Sequence, residues 1–171
     1  ISTRFLNMLE ILNNAQIEQK VNRLAHQLIE NTFEEKEIFI GGITGNGFLL
    51  AKKIVEIIQG KTESKIILFE ININKDEPWS EEITLSTPND QLKNGYIILI
   101  DDVLNSGKTL QFALVEILKF PTKAIKIMTL VDRKHRRFPI KADFVGMSLS
   151  TTLKERVEVD LSPENKKAYL L

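Results

Sequence analysis

Apolar positions recur along the chain in two alternating patterns, which predict helices and strands in turn. Helical spacing follows Asn13, a predicted N-cap that forms a capping box with Gln16, and it recurs over residues 48–59 and 108–119. Continuous apolar runs predict buried strands at 37–42, 65–73, 96–100 and 124–131. Shorter strands are predicted at 6–12, 83–85, 143–145 and 157–159. This alternation predicts an α/β fold with a parallel, twisted sheet between helices.

Length and the gap between two of the strands add detail to this prediction. A chain of 171 residues is expected to form a single domain, residues 1–171. Residues 74–94 are polar, carry two of the five prolines and lack a period, so they are predicted to be a long loop, a frequent position for a lid. In the helix over 108–119, four apolar side chains are predicted to face the core: Leu110, Leu114, Ile117 and Leu118.

Two adjacent carboxylates follow the apolar run that begins at Tyr96. Asp101 and Asp102 come directly after this strand, and the carboxyl ends of strands are where ligands bind in open α/β sheets. Carboxylates repel phosphate, so the pair is suited to sugar hydroxyls or to a hard divalent cation such as Mg²⁺.

A short turn after these carboxylates predicts a phosphate site. Asn105, Ser106 and Gly107 form the turn, and a helix opens at Lys108 with Thr109 behind it. Free backbone N–H groups of the turn and of the first helical turn, with the two hydroxyls, form a cradle for a phosphate dianion. The segment is not a P-loop, because Asp102 holds the place of the glycine required five residues before Gly107. Phosphate, ribose and Mg²⁺ side by side are therefore the predicted ligand.

The overall composition limits where the protein is expected to act and what it is expected to bind. Acidic and basic residues balance at 23 each, so any binding to nucleic acid must come from a local patch. The absence of cysteine excludes thiol catalysis and is typical of the cytoplasm, where we expect the protein. No apolar run reaches the roughly 20 residues that span a bilayer, so no membrane partner is expected.

At this point the chain resembles a known family. Two acidic residues before a small-residue phosphate loop resemble the phosphoribosyl pyrophosphate motif of type I phosphoribosyltransferases. The segment 130–146, LVDRKHRRFPIKADFVG, is similar to the bifunctional pyrimidine operon attenuator and uracil phosphoribosyltransferase family. That similarity runs from about Asn13 to about Asp160, and it includes the segments 23–26 and 155–159.

The resemblance implies a type I phosphoribosyltransferase fold with a small hood, and transfer of phosphoribose from phosphoribosyl pyrophosphate to a nucleobase, uracil favoured, with Mg²⁺. It implies a homodimer or larger homo-oligomer, and RNA as a further partner. The implied catalytic residues are Asp101, Asp102 and Asn105, of which Asp101 and Asp102 hold the metal, and the 5′-phosphate site is Asn105, Ser106, Gly107, Lys108 and Thr109. The implied base site is Asp132, Arg133, Phe144 and Val145, and the candidate RNA contacts are Arg23, His26, Arg136 and Arg137.

Several of these roles have an alternative. Phe144 stacks on a base in one interpretation and fills the core in the other, and His26 contacts RNA in one and is a partly buried helix residue in the other. The base itself is a pyrimidine in the favoured interpretation and a purine in the second. A protein that binds RNA, with nucleotide or phosphoribosyl pyrophosphate only as effector, is the alternative to an enzyme.

Two segments depart from the family pattern. The predicted pyrophosphate loop is Thr44-Gly45-Asn46-Gly47, without a cation where the family carries basic residues. Its backbone N–H groups still form an anion nest. Lys75, in the lid where the family has arginine, is expected to contact pyrophosphate, but it lacks the bidentate fork of arginine. Reduced activity is therefore expected.

Overall fold

The structure, a computed structural model, describes residues 8–171. In chain order the first elements are β1 (Leu9–Leu12), α1 (Asn14–Thr32), β2 (Glu37–Ile43), α2 (Asn46–Ile58), β3 (Lys65–Asn72) and β4 (Thr84–Leu85). A short 3-10 helix (Asn89–Leu92) precedes β5 (Tyr96–Leu104), α3 (Lys108–Ile117), β6 (Ala124–Asp132), β7 (Phe144–Ser148), β8 (Val157–Asp160) and β9 (Lys167–Leu170).

A six-stranded sheet forms the centre of the molecule, in the order β4-β3-β2-β5-β6-β7. Strands β3, β2, β5, β6 and β7 are parallel, and only the short β4 pairs antiparallel, with β3. The predicted parallel α/β sheet is therefore confirmed. Leu104 is in register with Asp132, and Asp132 with Ser148, so β5, β6 and β7 end together at one edge.

A second sheet has three antiparallel strands in the order β1-β9-β8; we name it the hood sheet. It corresponds to the small hood that the resemblance implies. The predicted strand over 6–12 is present as β1, and its first part, Leu6 and Asn7, lies outside the described residues. Strand β9 is not predicted from the sequence. It pairs with β8, the strand just before it in the chain, and with β1 at the other end of the described residues.

Both faces of the central sheet are buried, as the continuous apolar runs predict. On one face Ile98 and Ile100 pack with side chains of α1 and α2, and on the other Ile97 and Leu99 pack with side chains of α3. The expectation for Leu118 is wrong, because α3 ends at Ile117 and the Leu118 side chain is 53% exposed.

Local signals set several boundaries. The predicted capping box is present: the Asn13 side chain accepts from Gln16 N and the Gln16 side chain accepts from Asn13 N, each at 2.9 Å. Strand β5 continues past the predicted end at Ile100 through both aspartates to Leu104, because Val103 and Leu104 are buried and pair with β6. Helix α2 begins at Asn46, before the predicted start at Phe48.

None of the helices within residues 8–171 has the length and apolar character needed to cross a bilayer.

Candidate active site

The carboxyl end of β5 opens into a cavity of about 310 Å³. The residues that line it come from β5, the following turn, the start of α3 and the 74–94 loop: Lys75, Asp76, Asp101, Asp102, Val103, Leu104, Asn105, Ser106, Gly107, Lys108, Thr109 and Leu110. The predicted carboxylates and phosphate loop therefore share one cavity, and Lys75 joins them.

Asp101 is a buried carboxylate at the base of this cavity, and its side chain is 7% exposed. Its Oδ1 accepts from Asp102 N at 2.9 Å and lies 3.3 Å from Lys75 Nζ. Burial, together with the neighbouring Asp102 carboxylate, raises the pKa of Asp101 to about 8, while the Lys75 ammonium acts in the opposite direction. A bound cation would favour the ionised form of this carboxyl.

Asp102 is held by an amide that the sequence assigned to the pyrophosphate loop. Asn46 Nδ2 donates to Asp102 Oδ2 at 3.1 Å and to the Val159 carbonyl oxygen at 2.8 Å. Asn46 is the first residue of α2, and Val159 belongs to β8 of the hood sheet. The same amide therefore fixes Asp102 and ties the hood sheet to the cavity.

Asp101 and Asp102 form the acidic pair. Of the rest of the predicted pyrophosphate loop, Gly47 lies against Asp101, and none of residues 44–47 lines the cavity. Gly45 has φ +87°, and Thr44 Oγ1 donates to Glu70 Oε1 at 2.8 Å. A Cβ at Gly47 would lie 2.9 Å from the carbonyl oxygen of Ile100 and 3.0 Å from Asp101 Oδ1. Glycine at residue 47 thus lets α2 begin directly against the end of β5.

The predicted phosphate cradle, residues 105–109, lies at the start of α3. Gly107 has φ +89°, a left-handed conformation that glycine adopts without strain, and it precedes the first helical residue. Ser106 O accepts from Arg137 N and Phe138 N at 2.9 and 3.0 Å, which fixes the turn. Thr109 N–H has no carbonyl partner within the helix by helix geometry, so it is available to an anion.

The 74–80 segment lies against both the acidic pair and the cradle. Lys75 contacts Asp101, and Lys108 Nζ donates to the Asp76 carbonyl oxygen at 2.9 Å. The Lys108 ammonium also lies 5.8 Å from the centre of the Trp79 ring. Both lysines that the sequence assigned to ligand phosphates are thus bonded to protein groups.

Asp132 and Arg133, predicted to bind the base, lie at the end of β6 beside the cradle. Asp132 Oδ1 accepts from Arg136 Nη2 at 2.6 Å and from Lys134 N at 2.8 Å. Arg133 Nη1 donates to Asn105 Oδ1 at 3.0 Å and its Nε donates to Thr151 Oγ1 at 3.1 Å. Nη2 of the same side chain donates to the Glu155 carbonyl oxygen. Arg133 therefore joins the cradle to the loop after β7.

Phe144 and Val145 are not brought to the cavity, which corrects the expectation that they contact the base there. Phe144 pairs with Met128 at the start of β7, and its side chain is 6% exposed within the core on the α1 side. Phe144 and Val145 both border a separate cavity beside α1 instead. The core interpretation of Phe144 is the one that the structure supports.

The four candidate RNA contacts differ in their exposure: three are exposed, and one is hydrogen-bonded within its own loop. Arg23 and His26 are exposed on α1, which excludes the partly buried interpretation of His26, and Arg23 Nη2 donates to the Gly146 carbonyl oxygen at 2.6 Å. Arg137 is exposed in the loop after β6. Arg136, by contrast, is committed within its loop, since its Nη1 donates to the Asn105 carbonyl oxygen at 2.8 Å in addition to its bond with Asp132.

The donor set at the acidic pair fits Mg²⁺. Oxygen ligands are the ones that Mg²⁺ prefers, and it is commonly bound by one or two carboxylates with substrate oxygens and water completing the shell. Residues 8–171 contain no cluster of three or more histidine, cysteine or acidic side chains arranged to hold a metal. Asp101 and Asp102 would therefore supply only part of the coordination shell of the metal, and the oxygens of a bound substrate and of water would supply the rest.

Sequence reasoning missed three contributors to the site. Asp76 supplies its carbonyl oxygen to Lys108, Val159 supplies its own to Asn46, and Thr129 Oγ1 donates to the Asp102 carbonyl oxygen at 3.1 Å. The first two act through their backbone, which leaves no signal in the residue type. Thr129, a fully buried polar residue within an apolar strand, is the one that a search for such residues would find.

Comparison with known proteins gives a family from the sequence and a matching fold from solved structures. The phosphoribosyl transferase domain family matches residues 7–161. Proteins named bifunctional protein PyrR are similar over most of the chain: the one from Brevibacillus brevis is 35% identical over 164 residues, 92% of each chain. The one from Streptomyces coelicolor is 30% identical over 168 residues, 94% of this chain and 87% of the relative.

Solved structures agree on the fold. A hypoxanthine phosphoribosyltransferase from Staphylococcus aureus has a TM-score of 0.70 at 18% identity, covering 92% of this chain and 85% of that one. A hypoxanthine-guanine phosphoribosyltransferase from Bacillus anthracis has a TM-score of 0.69 at 22% identity, covering 88% and 87%. With the family match and the relatives, these findings show that the chain belongs to the phosphoribosyl transferase domain family, with the type I fold.

Proposed function

We propose that the protein is a Mg²⁺-dependent phosphoribosyltransferase that binds phosphoribosyl pyrophosphate and transfers phosphoribose to a pyrimidine base, uracil favoured. One observation carries the proposal: a carboxylate pair, with Asp101 buried and Asp102 half-buried, and a backbone phosphate cradle line the same cavity at the end of the central strand. The cradle suits the 5′-phosphate, and the carboxylates suit the ribose hydroxyls. Family membership supports the reaction type.

The proposed chemistry is a substitution at the anomeric carbon of the ribose. Uracil N1 forms the bond to this carbon as the carbon–oxygen bond to pyrophosphate breaks, and the proton of N1 passes to the departing pyrophosphate. Positive charge develops on the sugar, so the chain's contribution is to position both reactants and to present carboxylates near that charge. Asp101 and Asp102 are the proposed carboxylates, and Asn105 lies at the turn beside them. When bound, Mg²⁺ would neutralise part of the charge on the leaving pyrophosphate.

The preference for uracil rests on the resemblance to the attenuator family and on the relatives that share 30–35% of their residues with this chain. The purine enzymes among the structural neighbours are below 25% identity and support the fold alone. Asp132 and Arg133 are the proposed base contacts. Both already hold loop positions beside the cradle through hydrogen bonds.

The proposal is tested by product formation from uracil and phosphoribosyl pyrophosphate with Mg²⁺, with hypoxanthine as a competing base. We expect uridine monophosphate as the product and loss of turnover in Asp102→Asn. Glu82→Gln, which removes one exposed carboxylate from the 74–94 loop, is the matched control and retains activity. Inosine monophosphate as the main product would exclude the pyrimidine assignment.

A non-catalytic regulator is the second candidate, and the pyrophosphate loop is the observation that favours it. No residue of 44–47 carries a positive charge, and the one amide in the loop, Asn46, is bonded to Asp102 and Val159. Such a protein would bind RNA through exposed basic residues such as Arg23 and Arg137, with nucleotide as effector. Absence of turnover together with RNA binding that depends on Arg137 would favour this candidate.

Homo-oligomerisation belongs to the same proposal, because the resemblance implies a dimer or a larger assembly. Light scattering coupled to size-exclusion chromatography tests it. We expect a mass of at least twice the 19.6 kDa of the chain.

A further inference from the structure

We propose that the cleft between α1, α2 and the β8–β9 loop is a second ligand site, and that it binds a small carboxylate with an apolar tail. The cleft shares no lining residue with the cavity at the end of β5. Binding there would not depend on the transfer reaction proposed above. The residues that line the cleft are Val21, Leu49, Leu50, Lys52, Lys53, Glu56, Leu161, Pro163 and Lys166.

Most of the cleft surface is apolar. Val21 of α1 and Leu50 of α2 are 2% and 1% exposed, and Leu161, which follows β8, packs against the same core. Leu49 is 43% exposed at this surface, although its side chain is large and apolar. An alkyl chain in the cleft would remove the surface of these residues from water, which is favourable.

The volume of the cleft limits the length of that chain. It measures about 220 Å³, below the roughly 300–1,000 Å³ of sites that hold drug-sized ligands, so we expect a tail of about six to eight carbons. A second copy of this chain is a poorer occupant. A twofold contact centred on the cleft would place its lysines against the same lysines of the other copy.

Lys166 fixes the β8–β9 loop as one wall of the cleft. Its side chain is 9% exposed, and its Nζ lies 2.7 Å from Glu18 Oε1 and donates to the Pro163 carbonyl oxygen at 2.7 Å. Its backbone N–H donates to Asn14 Oδ1 at 2.9 Å. Buried polar contacts therefore hold the loop against α1.

The hydrogen bond from Asn46 to Val159 holds the other two walls together. Asn46 begins α2, one turn before Leu50, and Val159 of β8 lies two residues before Leu161. The cleft thus exists before any ligand binds. A ligand would not have to order its walls, which reduces the free-energy cost of binding.

Helix α2 supplies the positive charge. One face of the helix carries residues that border the cleft and are spaced three, four and seven positions from the first: Leu49, Lys52, Lys53 and Glu56. The Lys52 ammonium lies 5.1 Å from the centre of the Phe48 ring, and Lys53 is half-buried. Neither lysine forms an ion pair within residues 8–171.

The balance of charge indicates a single anionic head group. The charge of Lys166 is already balanced by Glu18, so Lys52 and Lys53 against Glu56 leave one net positive charge at the cleft. One net charge suits a carboxylate better than a phosphate dianion.

Octanoate is the probe, and calorimetry measures its affinity for the unmodified protein. We expect one octanoate per chain. Hexanoate should bind about fifteenfold more weakly, because each buried methylene contributes about fourfold. Octanamide, which has the tail without the charge, should bind about fivefold more weakly than octanoate. Octylamine should bind more weakly still, since its ammonium would meet the lysines.

A double variant, Lys52→Met with Lys53→Met, removes both charges and keeps the apolar stems of the side chains. Octanoate should bind to it about fivefold more weakly, whereas octanamide should bind as it does to the unmodified protein, which shows that the cleft is intact. Lys36→Met with Lys61→Met is the matched control. Both of these lysines are exposed and neither lines the cleft, so both affinities should be unchanged.

Leu49→Asp tests the apolar surface, and folding should tolerate it because Leu49 is exposed. We expect loss of binding of both octanoate and octanamide, with no change in the mass measured by light scattering. Ribose 5-phosphate with Mg²⁺ should bind to this variant as to the unmodified protein. Failure of the transferase assignment would leave the octanoate results as they are.

Several outcomes would overturn the second site. Absence of octanoate binding is one, and equal affinity of octanoate and octylamine is another. Unchanged octanoate affinity in the double lysine variant would remove the charged contact. A lower mass of Leu49→Asp would make this face an interface between copies of the chain. Sedimentation of the unmodified protein, but not of Leu49→Asp, with phosphatidylglycerol vesicles would assign the cleft to a lipid surface instead.

Discussion

Replacing the buried Asp101 with asparagine should make the protein more stable, although the same change should abolish transfer of phosphoribose. Asparagine has the same shape, accepts the hydrogen bond from Asp102 N, and carries no charge next to the second carboxylate. The result expected is a higher free energy of unfolding at neutral and alkaline pH, because a charged carboxyl is disfavoured in this buried position.

The magnitude follows from the pKa of Asp101, which burial and Asp102 raise from 3.8 to about 8. The folded state then holds the proton more tightly than the unfolded state, so stability falls as pH rises above 3.8 and stops falling near 8. Each pKa unit is about 1.4 kcal/mol, which gives an upper bound of about 5 kcal/mol at pH 8. Loss of the ion pair with the partly exposed Lys75 offsets at most about 1 kcal/mol of this gain.

Urea unfolding in EDTA at pH 5, 6, 7 and 8 measures this effect. The stability advantage of Asp101→Asn over the unmodified protein should grow by about 3 kcal/mol between pH 5 and pH 7 and level off above pH 8. Glu82→Gln removes an exposed carboxylate and is the control; its free energy of unfolding should equal that of the unmodified protein at each pH. An advantage that does not change between pH 5 and pH 7, or a less stable variant at pH 8, would refute the reasoning.

Three further predictions follow from single contacts of the site. Asn46→Ala removes one hydrogen bond to Asp102 and one to the hood sheet, and should lower the free energy of unfolding by about 1–2 kcal/mol in urea titrations. An unchanged urea midpoint would contradict a stabilising role for these two hydrogen bonds. Gly107→Ala places a side chain on a residue with a left-handed backbone conformation, so it should lower the free energy of unfolding by about 1–2 kcal/mol and lower the melting temperature. A higher melting temperature would contradict the predicted strain. Arg133→Lys keeps the charge but loses the guanidinium group that joins Asn105 to Thr151 and Glu155, so ribose 5-phosphate should bind at least about threefold more weakly by calorimetry. Equal affinity would contradict a positioning role for Arg133.

The sequence predicts the elements whose causes are local. The capping box at Asn13 and the apolar runs of the parallel strands depend on neighbouring residues, and both are present. The extent of β5 is less local, because Asp101 and Asp102 resemble a strand end, yet the ladder with β6 continues to Leu104. Strand β9 is absent from the prediction because it has only four residues and is the middle strand of its sheet through pairing with β1, at the other end of the described chain.

The same distinction between local and long-range causes applies to the site. The acidic pair and the cradle are contiguous in sequence, and they line one cavity as predicted. The contact of Lys75 with Asp101 joins residues 26 apart across an aperiodic loop, so no pattern could indicate it. Phe144 has an aromatic character that suits either a base or the core, and its position at the start of β7 decides for the core.

The two ends of the described chain meet in the hood sheet, where β9 is the middle strand and alone connects β1 with β8. Cutting the chain before residue 167 would leave β8 with no partner strand. Val159 of β8 would then be less firmly positioned, and its carbonyl oxygen accepts the hydrogen bond from the Asn46 amide. A fusion tag that disturbs β9 would thus reach the Asp102 carboxylate through a backbone oxygen and a single side chain. A tag that is joined directly after Leu171 should therefore be separated from β9 by a flexible spacer, and comparisons of activity should use protein from which that tag has been removed.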